Sequence, residues 1–327
     1  MPEPWRTRRD LNPVIPATGL KGRDGTYHAE PDLVRAANVA LTLRRPLLLT
    51  GEPGCGKTDF AYAVAHALKG DADAEDGALL ECHVRSDSRA ADLLYHYDAL
   101  RRFGDAHFGD KEKAAEVRDY IRLLPLGQAL HARERRVVLI DEVDKAPRDL
   151  PNDLLRELDH GRFVIPEIPV DAPPHPSGLT REMGRPQGDP SRPMVIITSN
   201  AERQLPDPFL RRCVFFRIPF PSLDTLTKIL EDRCGGPDPM HRSATAIFLG
   251  MRRVADLTKK PATSELIDWV DALRQVYVRD EVQPALTGFA ALVRGAGARL
   301  EGLPWKTLPA LTCLLKLHED LERVHAG

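Results

Sequence analysis

The chain has 327 residues, 42% of them hydrophobic, with 46 basic and 48 acidic side chains and a formal net charge of -2. That length suits about two domains, and the near-balance of charge gives no electrostatic drive toward bulk nucleic acid or an anionic membrane. No apolar run approaches the roughly 20 residues of a bilayer span. The N-terminal MPEPWRTRRDLNP has no apolar core of a secretory signal, and Cys55, Cys82, Cys213, Cys234 and Cys313 form no Cys-x-x-Cys pair, so the expectation is a cytoplasmic protein with free thiols.

Residues 1–29, rich in Pro, Arg and Gly, read as an extended arm. Pro31 suits the first turn of a helix whose apolar stripe is Leu33, Val34, Ala37, Ala40 and Leu41. Continuous apolar runs follow at PLLLT (46–50), ALLECHV (78–84), VVLID (137–141), MVIITSN (194–200) and VFFRIPF (214–220). Unbroken apolarity is expected of strands buried on both faces of a parallel sheet, and helical stretches between them argue α/β layering. Phe60, Ala61, Val64, Ala65 and Leu68 share one face of a helix after the first run, with Lys69-Gly70 as its stop. The stretch 171–193 holds six prolines and three glycines and reads as a long loop, mobile or held by a partner. Beyond Pro221 the strand signal vanishes. SLDTLTKILEDRC, MHRSATAIFLGMRRVADL, TSELIDWVDALRQVYV and LPALTCLLKLHEDLERVH all read as helices. The expected organisation is an arm (1–29), an α/β core (30–221) and an α-helical region (222–327), with no internal repeat.

Four stretches carry chemistry. Gly51-x-x-x-x-Gly56-Lys57-Thr58 joins an apolar strand to an amphipathic helix, the context of a phosphate-binding P-loop. Its backbone N–H groups and the positive end of the helix face phosphates, Lys57 reaches them, and the Thr58 hydroxyl ligates Mg2+. The nucleotide contacts expected here are Gly51, Gly54, Cys55, Gly56, Lys57, Thr58 and Asp59. The strand VVLID ends in Asp141-Glu142: Asp141 is expected to hold Mg2+ and Glu142 to activate the attacking water. MVIITSN ends in Asn200, placed to orient that water. LPDPFLRRC presents Arg211 and Arg212, one of which is expected to reach a neighbouring subunit's γ-phosphate as an arginine finger.

As a set, RPLLLTGEPGCGKT, VVLIDEVDKAPRDLPNDLLRELDHGRFVIPE, VIITSN and LPDPFLRRCVFFRIPFP resemble an AAA+ ATPase, and more narrowly the MoxR-like and dynein-related group. The resemblance covers residues 27–221 strongly and the helical tail more weakly. It implies a P-loop αβα core with a parallel sheet, an α-helical lid, ATP and Mg2+ as ligands, and a ring homo-oligomer, usually a hexamer. It also implies an insert in the second core helix at 91–130, where Tyr95, Tyr97, Phe103 and Phe108 would face the pore, a partner or the insert's own interior. MoxR-like ATPases are chaperone-like remodelers, often paired with von Willebrand factor A proteins. Relatives carry a γ-phosphate-sensing arginine at the start of a lid helix; the matching position here is Ser264, with Lys259 or Lys260 nearby to compensate. Two other readings stand beside remodelling. One is the motor of a nucleic-acid-acting or restriction complex, for which Arg6, Arg8 and Arg9 are the available contacts. The other is a nucleotide-gated scaffold with little turnover, against which an intact Glu142 argues.

Overall fold

The computed structural model describes residues 15–69, 79–109, 111–185, 189–254, 257–297 and 300–326. Arg6, Arg8 and Arg9, the Gly70 stop and the start of the second apolar run at Ala78 lie outside them. The described residues divide into two compact units: those up to Gly51 with Lys57–Ile218, and Glu52–Gly56 with those from Pro219 onward.

The first unit begins with a segment docked on its own helices. Ile15 is fully buried, and its backbone N–H and C=O bond the Asn38 side chain at 3.0 Å each. Helix α1 (Pro31–Leu43) starts on a proline and buries the stripe Leu33, Val34, Ala37, Ala40 and Leu41. Strand β1 (Leu47–Thr50) leads through the glycine loop into α2 (Lys57–Lys69). After β2 (Leu79–His83) come the short α3 (Ala91–Leu94), β3 (Tyr95–Tyr97), α4 (Ala99–Phe108), α5 (Lys111–Ala115), β4 (Ile121–Leu123) and α6 (Pro125–His131). Next are β5 (Val137–Asp141), α7 (Leu150–Asp153), α8 (Leu155–His160), β6 (Arg162–Val164), β7 (Glu182–Gly184), β8 (Met194–Ser199), α9 (Asp207–Leu210) and β9 (Val214–Arg217).

Five strands form one sheet in the order β2-β5-β8-β1-β9, every pair parallel. β5 and β8 are buried almost throughout, which is why their sequences show no polar alternation. The αβα expectation is borne out. Between β2 and β5, β3 and β4 pair antiparallel as a small separate ribbon. On it Tyr95 donates to Glu167 and stacks on Phe163, so this tyrosine packs inward, whereas Phe103 and Phe108 on α4 are exposed.

The Pro/Gly-rich stretch is not wholly loop. β7 pairs antiparallel with β6, and arginines from elsewhere in the chain cap backbone carbonyls of its flanks: Arg118 donates to Pro173 and Arg135 to Pro190. Its own chain, then, holds the described part.

The second unit is helical: α10 (Leu223–Arg233), α11 (Pro239–Met251), α12 (Thr263–Val276), α13 (Arg279–Ala296), α14 (Leu311–Leu314) and α15 (His318–Ala326). Their apolar faces meet around Trp269 and Trp305, both fully buried, with Nε1–H donated to Pro309 O and Leu300 O at 2.8 Å. Two helices depart from expectation. The stretch LPALTCLLKLHEDLERVH is two helices rather than one, because the chain extends at Leu315, and this lets the adjacent Leu314 and Leu315 both enter the core. α13 buries Val282, Leu286, Phe289, Ala290 and Val293 at helical spacing, and Pro284 with two glycines hid that stripe from a reading by propensity.

α6 approaches the end of α3 so closely that a Cβ on Gly127 would enter the Leu94 carbonyl. Gly104, inside exposed α4, has no neighbour within 4 Å of such a Cβ. Gly127→Ala is therefore expected to destabilise the fold by about 1–3 kcal/mol through overpacking. Gly104→Ala should be neutral or stabilising by at most about 1 kcal/mol. Chemical denaturation midpoints of the two variants check the contrast.

Candidate functional site

β5, β8 and β1 are parallel neighbours, so their C-terminal ends leave the sheet side by side, the edge at which open parallel sheets bind ligands. Asp141 is the last residue of β5, Asn200 follows β8, and Gly51 follows β1. The carboxylate of Asp141 accepts from Thr58 Oγ1 at 3.3 and 3.4 Å and from Thr198 Oγ1. The Thr198 oxygen accepts in turn from the Glu142 backbone N–H at 2.8 Å. Thr198 is wholly buried. Its only sequence signal is a polar residue inside a buried strand, and sequence reasoning passed over it.

Glu142 sits in the left-handed region, φ 54° and ψ 50°, which turns the chain sharply at the strand end. Its Oε1 accepts from Asn200 Nδ2 at 3.2 Å and its Oε2 pairs with Lys145 Nζ at 2.5 Å. Lys57 is 7% exposed, and its ammonium donates to Gly51 O at 2.9 Å, across the mouth of the loop that precedes it. The structure therefore brings Thr58 to Asp141 and Asn200 to Glu142. Thr58 and Asp141 form a pair of hard oxygen donors, the type Mg2+ takes.

The family model for the AAA domain of the dynein-related subfamily matches residues 46–213, just over half of the chain. The chain belongs to this family. No curated protein matches the sequence. As an AAA+ ATPase it binds nucleotide, and its family typically assembles as rings. No helix among the described residues is long and apolar enough to cross a membrane.

In this AAA domain the two arginines differ. Phe209 of α9, fully buried, anchors the turn that carries Arg211 and Arg212 outward. Arg212 pairs with Asp159 at 2.5 Å and donates to Pro208 O at 3.0 Å. Arg211 is exposed and its side chain has no partner among the described residues. Arg212 also lines a cavity of about 590 Å³ with Arg44, Arg45 and Arg192. Burial pushes the Arg192 guanidinium pKa down, and the nearby Arg44 charge pushes it the same way. Asp159 lines the same cavity and is the carboxylate that Arg212 pairs with.

Within the second unit, Gly54, Cys55 and Gly56 belong to the turn Glu52–Gly56. Gly54 has φ 75°, a Cβ there would run into Ala262, and Thr263 Oγ1 donates to its carbonyl at 2.7 Å. Cys55 is 3% exposed, which shields its thiol. The lid position expected to sense nucleotide does something local: Ser264 donates to Glu265 Oε2 at 3.0 Å, and the same carboxylate caps Ala262 N. The Lys259 and Lys260 side chains are exposed, and the Lys259 backbone is capped by Asp320. The arginine that reaches the glycine turn is Arg252, at the end of α11. It donates to Glu52 and to Pro261 O, and its guanidinium lies 3.4 Å from the Phe220 ring centre. Sequence reasoning looked for a lid arginine on α12 and missed it.

Asp59, expected among the nucleotide contacts, takes part in another contact. Its Oδ1 accepts from the Arg23 backbone N–H at 2.7 Å, and Gly22 passes so close that a Cβ there would clash with the carboxylate. With His66 bonded to Lys21 O at 2.8 Å, α2 clasps the segment before α1. Asp59→Ala should speed amide hydrogen exchange at Arg23 and cost about 1 kcal/mol, while leaving nucleotide affinity within twofold. A large loss of nucleotide affinity, by calorimetric titration, would place Asp59 among the nucleotide contacts.

Proposed function

We propose that this AAA+ protein is a Mg2+-dependent ATPase that acts as a ring, a hexamer, to remodel a client protein in the manner of MoxR-like ATPases. The observation that carries hydrolysis is the pairing of Glu142 with Asn200 beside the Thr58–Asp141 pair. Gly51–Thr58 supplies backbone donors and the Lys57 ammonium to the β- and γ-phosphates. Thr58 and Asp141 would hold Mg2+, which neutralises phosphate charge when bound. Both are oxygen donors, and Mg2+ commonly needs only one or two protein ligands beside its waters. Glu142 takes the proton of the attacking water, and the Asn200 amide fixes the orientation of the Glu142 carboxylate. Oxygen of the water adds to the γ-phosphorus as the bond to the leaving ADP oxygen breaks.

Arg211 is the finger that acts on a neighbouring subunit. A finger must be free to leave its own chain, and Arg211 is unpartnered among the described residues whereas Arg212 is tied to Asp159. Assembly on this face is supported by α1 and the edge strand β9, which pack together and leave Val39, Leu43 and Phe215 exposed. Remodelling of a client, with a von Willebrand factor A protein as partner, rests on the MoxR-like resemblance, with a near-balanced charge that offers nucleic acid little.

Glu142→Gln should keep ATP affinity and lose turnover by about 10²–10⁴-fold, while Lys57→Ala should lose binding itself. Steady-state phosphate release and nucleotide titration measure both. Near wild-type release from Glu142→Gln would remove Glu142 from the mechanism.

Arg211→Ala should bind ATP and hydrolyse it at least about 10³-fold more slowly, and Arg212→Ala should fall much less. Mixing Arg211→Ala with Lys57→Ala should restore part of the activity, because mixed rings contain intact sites between unlike subunits. No rescue in rings shown by mass spectrometry to be mixed would end the trans assignment.

A further inference from the structure

Asp144 follows the acidic pair by two residues and looks like an ordinary loop acid, yet it is 3% exposed. Burying a carboxylate is costly unless donors surround it. The donors here are backbone groups. Asp144 Oδ2 accepts from the N–H of Asn200 and from the N–H of Glu202, each at 3.0 Å. The N–H between them, on Ala201, goes to Ser199 Oγ at 3.0 Å, and Ala201 is left-handed with φ 60°. All three successive N–H groups of the turn after β8 thus end on side-chain oxygens. The other carboxylate oxygen of Asp144, Oδ1, is buried and has no partner among the described residues.

This turn carries Asn200, whose amide meets Glu142. Glu142 and Asp144 leave the end of β5 together, in the same short turn. One segment therefore presents both the carboxylate that Asn200 touches and the carboxylate that grips the Asn200 backbone. Turn and amide are located from the same side, which fixes the distance between Asn200 and Glu142 independently of the rest of the loop.

We propose that Asp144 is a positioning residue for hydrolysis: by capping the N–H groups of Asn200 and Glu202 it holds the Asn200 amide against Glu142. The proposal rests on the reading of Glu142 and Asn200 as the water-activating pair. Without the cap, two donors of the turn lose a charge-assisted acceptor, Ala201 relaxes from its left-handed conformation, and the Asn200 side chain is no longer held.

The test is a double-mutant cycle on the full chain. Asp144→Ala should lower kcat about tenfold or more while the affinity for ATP stays within threefold, because nothing in the phosphate loop bonds to Asp144. Asp144→Asn keeps the shape and an acceptor oxygen, and should recover most of that loss. In an Asn200→Ala background, Asp144→Ala should cost nothing further, since the amide it positions is gone. A merely structural role would instead give the same fold-loss in both backgrounds, and that result overturns the proposal. So does a wild-type kcat in Asp144→Ala. If Asp144→Ala does not fold, the Asn variant in the two backgrounds carries the same comparison, with a small loss beside Asn200 and none beside Ala. Failure of the parent reading looks different: Glu142→Gln and Asn200→Ala would themselves retain turnover.

Discussion

One hydroxyl fixes the geometry of the strand ends. Thr198 lies inside β8 with no access to water, so its oxygen and its proton must both find partners in the protein. It donates to Asp141 and accepts from the backbone of Glu142. The first bond sets the carboxylate beside Thr58. The second sets where the chain turns out of β5, and so where the Glu142 side chain starts. A valine in that place would fill the same volume and leave the half-buried Asp141 carboxylate and the Glu142 N–H without this partner. Register does the remaining work: because β8 lies between β5 and β1 and runs parallel to both, a donor near its end reaches across the mouth of the sheet.

Arginines shape both units, by different physics. In the first unit Arg192 is desolvated beside other cations and pairs with backbone carbonyls of Leu158 and Asp159. The Arg44 charge adds to the cost of that burial and Asp159 offsets part of it. In the second unit Arg252 is as deeply buried but neutralised: a carboxylate on one edge, a carbonyl on another, an aromatic face beneath. The planar fork of guanidinium permits this triple engagement, and a lysine would not reproduce it.

The parallel core was legible because buried strands write themselves as unbroken apolar runs, and the chemical residues stand where those runs stop. The family followed from the same stretches. Strand order was not legible: nothing in the chain says that β8 sits between β5 and β1. Thr198 was missed and Asp144 reads as an ordinary loop residue for that reason, since each bonds a neighbour more than 50 residues away. The contrast between Arg211 and Arg212 is likewise decided by Asp159, 53 residues upstream of Arg212. Asp59 was read with the phosphate loop because it follows Thr58, but the helix turns its side chain toward the segment before α1. α13 was hidden by Pro284 and its glycines, although its buried positions keep helical spacing.

Of the four described non-glycine residues with positive φ, Glu142 and Ala201 stand at adjacent strand ends in the site. A left-handed residue with a Cβ costs about 1–2 kcal/mol relative to its ordinary conformation. The protein therefore carries a conformational debt at these two neighbouring strand ends, and glycine at either position would relieve it. Selection or a laboratory screen that rewards thermal resistance alone would drift toward glycine there, gaining robustness as it lost the carboxylate at 142 or loosened the turn at 201. On the proposed reading of the site, heat tolerance and turnover compete for the same two backbone angles.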